Sequence, residues 1–348
     1  MHRLFVLLTS FMLLAGFAHG QQVSAGPQRT SLGDSSAGEF QFESVRSIYW
    51  SQIAKATPQS VAALPKTWIP AVLYLPKDAK GKVPAVVVVH GIGGLYTSDG
   101  KKRSYWEYAK LLADNGIAAL VVDSHGARGV GVTNQLGSTE VSVYTFVADA
   151  FAGADMLRTH PGIDPDRVGI LGFSKGGMTA LLATDKRFAQ VLSKSGRTFK
   201  AHMPIYPGCQ NFPENVQASG AAVHMLLGEK DNYTGTTGCY EIEAKLKTAG
   251  TAVTITSYPG AYHGWDEEVR PFKSDDLSTE DCRWVLKDDG SVWGGKEGQV
   301  SLSTSAEGTA YFRGCAKKAL IYVGRVESAN TASRLAIVNF ARQELSAP

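Results

Sequence analysis

The chain holds only four cysteines in 348 residues, has no CxxC or HxxxH spacing, and carries almost no excess of either charge. Four cysteines are too few for a disulfide-dense miniature scaffold. Without paired Cys or His spacings the sequence offers no metal-ligand set, and no metal is expected. Lys and Arg number 35 against 32 Asp and Glu, a net charge of +3. That balance gives neither the basic stripe of a nucleic-acid binder nor the polyelectrolyte character of a disordered chain. Beyond the first twenty residues no run is apolar enough to span a bilayer. Internal repeats and low-complexity tracts, the marks of a cell-envelope structural protein, are missing too. What is present is an ordinary globular mix: 44% apolar residues, with 37 Gly and 14 Pro that suit many tight loops.

The first twenty residues read as an address. Met1-His2-Arg3 is a short basic start, and residues 4–17 are apolar apart from Thr9, Ser10 and Gly16. Ala18-His19-Gly20 then places small residues at −3 and −1 of a cut before Gln21. Residues 1–20 are therefore expected to be a signal peptide. The protein would be periplasmic or secreted, with no stable membrane anchor, since no Cys lies near the cut to carry a lipid. Residues 21–37 are rich in Ser, Gly and Gln and are expected to be a flexible start. Export would place Cys209, Cys239, Cys282 and Cys315 in an oxidising space, where disulfides are the expected state.

From residue 68 onward strands alternate with helices. Strands are expected at 68–75, 85–89, 117–123, 167–173, 201–206, 222–227 and 252–258. Helices are expected at 105–113, 141–158, 177–183, 241–248 and 332–345. The Val-rich run 85–89 has no polar break, the pattern of a strand buried on both faces. Such alternation predicts a mostly parallel sheet wrapped by helices, in a single domain over 21–348. Residues 266–309 break the rhythm. They are polar and Gly-rich, and are expected to form an insertion or flap, tied by a Cys282–Cys315 bridge to the base of the last helix.

The chemistry sits at strand ends. Gly172-Phe173-Ser174-Lys175-Gly176-Gly177 follows a buried strand and precedes a helix, the context of a G-x-S-x-G nucleophile elbow. A serine hydroxyl needs a base to accept its proton, and in this arrangement the order is serine, acid, histidine. Asp231 follows the strand 222–227, with Glu229 as the alternative acid. His263 follows the strand 252–258 in a loop of small residues. An oxyanion hole needs two backbone N–H groups. Lys175 supplies one, and Ile92 of His90-Gly91-Ile92-Gly93-Gly94 the other, with Gly91 as fallback. His90 is expected to serve loop hydrogen bonds rather than catalysis. The glycines there lack the Lys-Ser/Thr of a phosphate loop.

Arg128, on the loop after the strand 117–123, is a candidate to grip a substrate carboxylate. The competing reading pairs it with Asp123 or a backbone carbonyl. Tyr96, Tyr206 and Trp265 are expected to shape the substrate pocket. Cys209 lies just past the strand that ends at Tyr206, and Cys239 just past the acid loop. Both flank the pocket on one edge, so a Cys209–Cys239 bridge would stiffen the loop holding Asp231.

VVVVHGIGGL, VDSHGARGV, GILGFSKGG, LLGEKDNYT and YPGAYHGW together resemble the dienelactone hydrolase family of α/β-hydrolases, from about residue 67 to 265, with a similar final helix. The resemblance implies an α/β-hydrolase fold, with helices on both faces of a mostly parallel sheet. It implies a triad of Ser174, Asp231 and His263, and no cofactor. Two departures stand out. The best-known members use Cys as nucleophile, where this chain has Ser174. They also place an Arg shortly after the His to grip a carboxylate, where Asp266, Glu267 and Glu268 follow Trp265 here. The expected activity is esterase-like cleavage of a small-molecule ester or lactone through an acyl-enzyme. The rivals are a peptidase or acyltransferase on the same fold, and a binding protein that keeps a hydrolase shell without catalysis.

Overall fold

The computed structural model describes residues 37–130, 141–267 and 272–346. The expected signal peptide and all but the last residue of the expected flexible start lie outside the described residues. In chain order the strands are β1 (Ala37–Val45), β2 (Lys66–Tyr74), β3 (Val83–Val89), β4 (Ala118–Val122), β5 (Ile163–Phe173), β6 (Ala201–Ile205), β7 (Asn211–Pro213), β8 (Ala222–Gly228), β9 (Val253–Tyr258), β10 (Phe272–Ser278), β11 (Trp284–Leu286), β12 (Val292–Gly294), β13 (Val300–Ser301) and β14 (Lys317–Val323).

Val86 to Val89, Ala118 to Val122 and Ala201 to Ile205 are buried along their whole length. Such strands have no wet face and need helices on both sides. They receive them. Helices Val143–Thr159, Lys175–Leu182 and Lys186–Leu192 cover one face, built around Phe146, Phe151 and Phe188. Helices Tyr105–Asp114 and Glu327–Glu344 cover the other, around Tyr108, Leu112 and Ile337. The sheet between them has eight strands in the order β1-β2-β4-β3-β5-β6-β8-β9. The six strands from β4 to β9 in that order run parallel, and β1 and β2 are antiparallel at one edge. This is the α/β-hydrolase architecture. The carboxyl ends of β3, β5, β8 and β9 share one edge, and there the loops bearing chemistry converge.

The structure differs from the sequence reading at several points. β1 was not anticipated; Phe40 and Phe42 point inward between exposed Glu39, Gln41 and Glu43, a strand pattern directly after the Ser/Gly-rich start. The segment 266–309, expected as an insertion or flap, carries strands of its own among the described residues. β11 pairs with β7 and β12, and β13 extends them into a four-stranded sheet, while β10 pairs with β14. The Cys282–Cys315 bridge joins this insertion to the end of helix Ser305–Cys315, with β14 between it and the last helix.

Candidate active site

A strand that turns directly into a helix leaves little room between the two backbones. The Cβ of any residue at Gly172 would lie 1.9 Å from the carbonyl oxygen of Gly176, and one at Gly176 would lie 2.2 Å from that of Val89. Only glycine allows this approach. The turn forces Ser174 to φ 52° and ψ −110°, a region that costs a non-glycine residue energy and is found where a side chain must be held out. Its backbone N–H donates to the Ile205 carbonyl at 3.0 Å, which leaves the hydroxyl standing above the sheet edge.

His263, in the loop after β9, places Nε2 2.9 Å from Ser174 Oγ and Nδ1 2.8 Å from Asp231 Oδ2. Asp231, in the loop after β8, also accepts from the N–H groups of Tyr233 and Thr234 at 3.0 and 3.1 Å and from the Thr234 hydroxyl. Burial alone would raise this carboxyl. The His263 ring and the N–H donors outweigh that and hold it below the usual carboxylate range. A charged Asp231 fixes the proton of His263 on Nδ1, so Nε2 faces the serine as an acceptor. The rings of Tyr206 and Tyr233 both pack against the imidazole, 4.9 and 5.0 Å away centre to centre.

The structure brings the loop after β3 beside the serine: a Cβ at Gly91 would lie 3.4 Å from the Ser174 Cβ. Among the described residues the backbone N–H groups of Ile92 and Lys175 have no hydrogen-bond acceptor, as two oxyanion donors require. Gly91 is the weaker donor, because its N–H is paired with the buried Tyr105 hydroxyl at 3.2 Å. His90 sits beneath the loop, its Nδ1 2.6 Å from the Gly91 carbonyl oxygen. Burial pushes His90 down to about 4, so it is neutral and serves the loop. Glu229 is exposed and accepts from the N–H of Gly260, away from His263.

Three of the expected pocket residues do something else. Arg128 is not a free cation on the rim. Its guanidinium makes two hydrogen bonds to Asp149, at 2.8 and 2.9 Å, and donates to the carbonyls of Val45, Arg46 and Ser124. Asp149 is fully buried in helix Val143–Thr159 and needs that partner. Trp265 is fully buried and donates to the Ser333 hydroxyl, so it belongs to the core. Tyr96 is exposed and leans on Trp106. It lines a groove that includes none of Ser174, Asp231 and His263. Tyr206 alone of the proposed aromatic set touches the histidine.

Cys209 is bonded to Cys239 and Cys282 to Cys315, the same pairs that topology suggested. The first bridge joins the segment after Tyr206, whose Gly208 N–H donates to the Ser174 carbonyl, to the helix that follows the acid loop.

Sequence reasoning missed the inward turn of Asp266 and Glu267. Asp266 is fully buried and accepts from the hydroxyls of Tyr206 at 2.6 Å and Ser104 at 3.0 Å. Glu267 pairs with Arg103 at 3.2 Å. The signal was only the odd position of two acids immediately after a Trp that enters the core.

Comparison with known proteins bears on the family and the fold. Residues 69–284 match the dienelactone hydrolase family. A probable 2-oxo-3-(5-oxofuran-2-ylidene)propanoate lactonase of Bradyrhizobium sp. is 26% identical over 202 residues, covering 55% of this chain and 76% of that protein. A thiohydrolase of Aspergillus aculeatus is 33% identical over 123 residues, 35% of each chain. Among solved structures, a dienelactone hydrolase-like promiscuous phosphotriesterase from metagenomic libraries superposes with a TM-score of 0.53 at 16% identity, covering 89% of this chain and 99% of that one.

Proposed function

The chain belongs to the dienelactone hydrolase family, and from that premise we propose that it is an exported serine hydrolase of small-molecule esters or lactones. The observation that carries the reading is the unbroken line from Asp231 through His263 to Ser174, at 2.8 and 2.9 Å. His263 Nε2 takes the Ser174 proton as Oγ attacks the carbonyl carbon. The N–H groups of Ile92 and Lys175 hold the oxyanion. Collapse of the tetrahedral intermediate expels the alcohol, which takes the proton from His263, and leaves an acyl-enzyme. Water, with His263 again as base, then frees the acid. Throughout, Asp231 keeps the imidazole in the required tautomer and favours its charged form.

A lactone substrate would keep its leaving alcohol on the acyl chain, so that a single hydroxy acid is released at deacylation. The similarity to a lactonase makes lactones a class to include beside simple esters. Export is supported by the leader-like start of the sequence and by two disulfides, which suit an oxidising compartment. No helix among the described residues is long and apolar enough to cross a membrane.

The test is Ser174→Ala, assayed on a panel of p-nitrophenyl esters and simple lactones, with fluorophosphonate labelling of the wild type. Turnover should fall by roughly three to six powers of ten, and the label should sit on Ser174. A variant that keeps its esterase activity refutes the scheme.

A further inference from the structure

We propose that Glu267 sets the charge selectivity of the site. By holding Arg103 in an ion pair at the wall beside the oxyanion loop, it restricts the pocket to esters and lactones whose acyl group is uncharged. This rests on the hydrolase reading above and names its substrate class.

Arg103 reaches toward the loop that carries the Ile92 N–H. A Cβ at Gly93 would stand 2.9 Å from Arg103 Nη2, so the guanidinium covers that glycine. Its Nε donates to the Tyr96 carbonyl at 3.4 Å, and Nη1 meets Glu267 Oε2 at 3.2 Å. Nη2 has no acceptor among the described residues. From the other side, Glu267 follows His263 by four positions, and its Cγ lies 3.3 Å from where a Cβ at Gly264 would stand. The pair therefore bridges the loop that carries Ile92 and the loop that carries His263.

Both side chains are largely shielded, at 15% and 12% exposure. A guanidinium this dry would be a strong anchor for a substrate carboxylate if it stood alone. Glu267 cancels its charge, and an anionic acyl group would bring a second carboxylate against the first. Uncharged acyl groups meet no such repulsion and can still use the free Nη2 as a donor. Rejection by a fixed like charge is an effective device for specificity. The other nearby cations are committed elsewhere: Arg128 to Asp149, and Lys175 to the Val141 carbonyl and the Phe146 ring. Asp266 keeps the arrangement in register. Its bonds to Tyr206 and Ser104 pin the histidine loop against the residue next to Arg103.

The experiment compares kcat/KM for p-nitrophenyl butyrate and p-nitrophenyl hemisuccinate, near-isosteric esters that differ by one carboxylate, near neutral pH. The wild type should favour the butyrate. Glu267→Gln should raise the hemisuccinate-to-butyrate ratio by about tenfold or more, and adding Arg103→Met should return the ratio to the wild-type value. Glu267→Ala gives the same reading should the glutamine variant not fold. A ratio unchanged in a folded variant that still labels at Ser174 overturns the proposal, as does a gain that survives the loss of Arg103. A wild type that cleaves neither ester and takes no fluorophosphonate overturns the hydrolase reading instead, so the two failures are distinct.

Discussion

Asp231→Asn separates the two jobs of the acid, because the amide can keep one and must abandon the other. Asp231 Oδ1 accepts from two backbone N–H groups, of Tyr233 and Thr234, while Oδ2 faces His263 Nδ1 and the Thr234 hydroxyl. An asparagine will turn its oxygen to the two backbone donors, since losing both would cost about 1–3 kcal/mol each. Its NH2 group then points at Nδ1. The imidazole must present a lone pair there and carry its proton on Nε2, so it can only donate to Ser174 and no longer acts as a base. The protein should stay folded, within about 1–2 kcal/mol of wild type, while kcat falls by roughly three to four powers of ten. Asp231→Ala should lose comparable activity but also melt earlier, because both backbone donors become orphans. Ester hydrolysis and thermal melting of the two variants decide the matter. If the asparagine variant retains activity within about tenfold of wild type, His263 does not depend on Asp231 for its tautomer and the triad reading is wrong.

Two further outcomes follow from groups outside the triad. Arg128→Met leaves Asp149 buried without its cation and should cost roughly 3–5 kcal/mol in denaturant unfolding. The folded fraction should show no selective loss of KM for carboxylated esters, whereas a selective KM effect with unchanged stability would restore Arg128 to the substrate site. Lys175 is pushed down to about 8 by burial, below its value of about 10.4 in the unfolded chain. Between those values the unfolded state binds the extra proton, so this residue makes stability rise as pH rises from about 8 to 10. Lys175→Met should remove that rise, worth on the order of 1–3 kcal/mol, and parallel pH profiles of melting for the two proteins would contradict it.

Much of this was legible in the sequence, for a reason that can be stated locally. Buried parallel strands are short apolar runs, and catalytic side chains sit just past their ends. Ser174, Asp231 and His263 could therefore be located by finding where β5, β8 and β9 stop, without knowing how the strands are ordered. The glycines at 172 and 176 carried the same message from another direction, because only a backbone crossing closer than a Cβ permits demands them. The small sheets were harder. β7, β11, β12 and β13 are two or three residues long, too short for a period of two to show, and β11 gains its partner β7 from about seventy residues upstream. No local pattern encodes such a pairing.

The arginines show where a linear reading fails. Arg128 and Arg103 both lie near the active edge, and spacing alone cannot say which faces substrate. What separates them is the location of the acids. Asp149 sits on the buried side of a helix, 21 residues after Arg128, and draws that side chain down into the protein. Glu267 sits past the histidine and meets Arg103 at the wall beside the oxyanion loop. Position along a strand end therefore tells which residues gather, and the partner charge tells what each can do there. In this chain acids follow His263 where the family's best-known members carry a cation, and Asp266 and Glu267 turn inward. Asp266 fastens the histidine loop to Tyr206 and Ser104, and Glu267 neutralises the guanidinium nearest the oxyanion loop. If the proposed selectivity holds, a site built this way repels a carboxylate, and its substrates are to be sought among neutral acyl compounds.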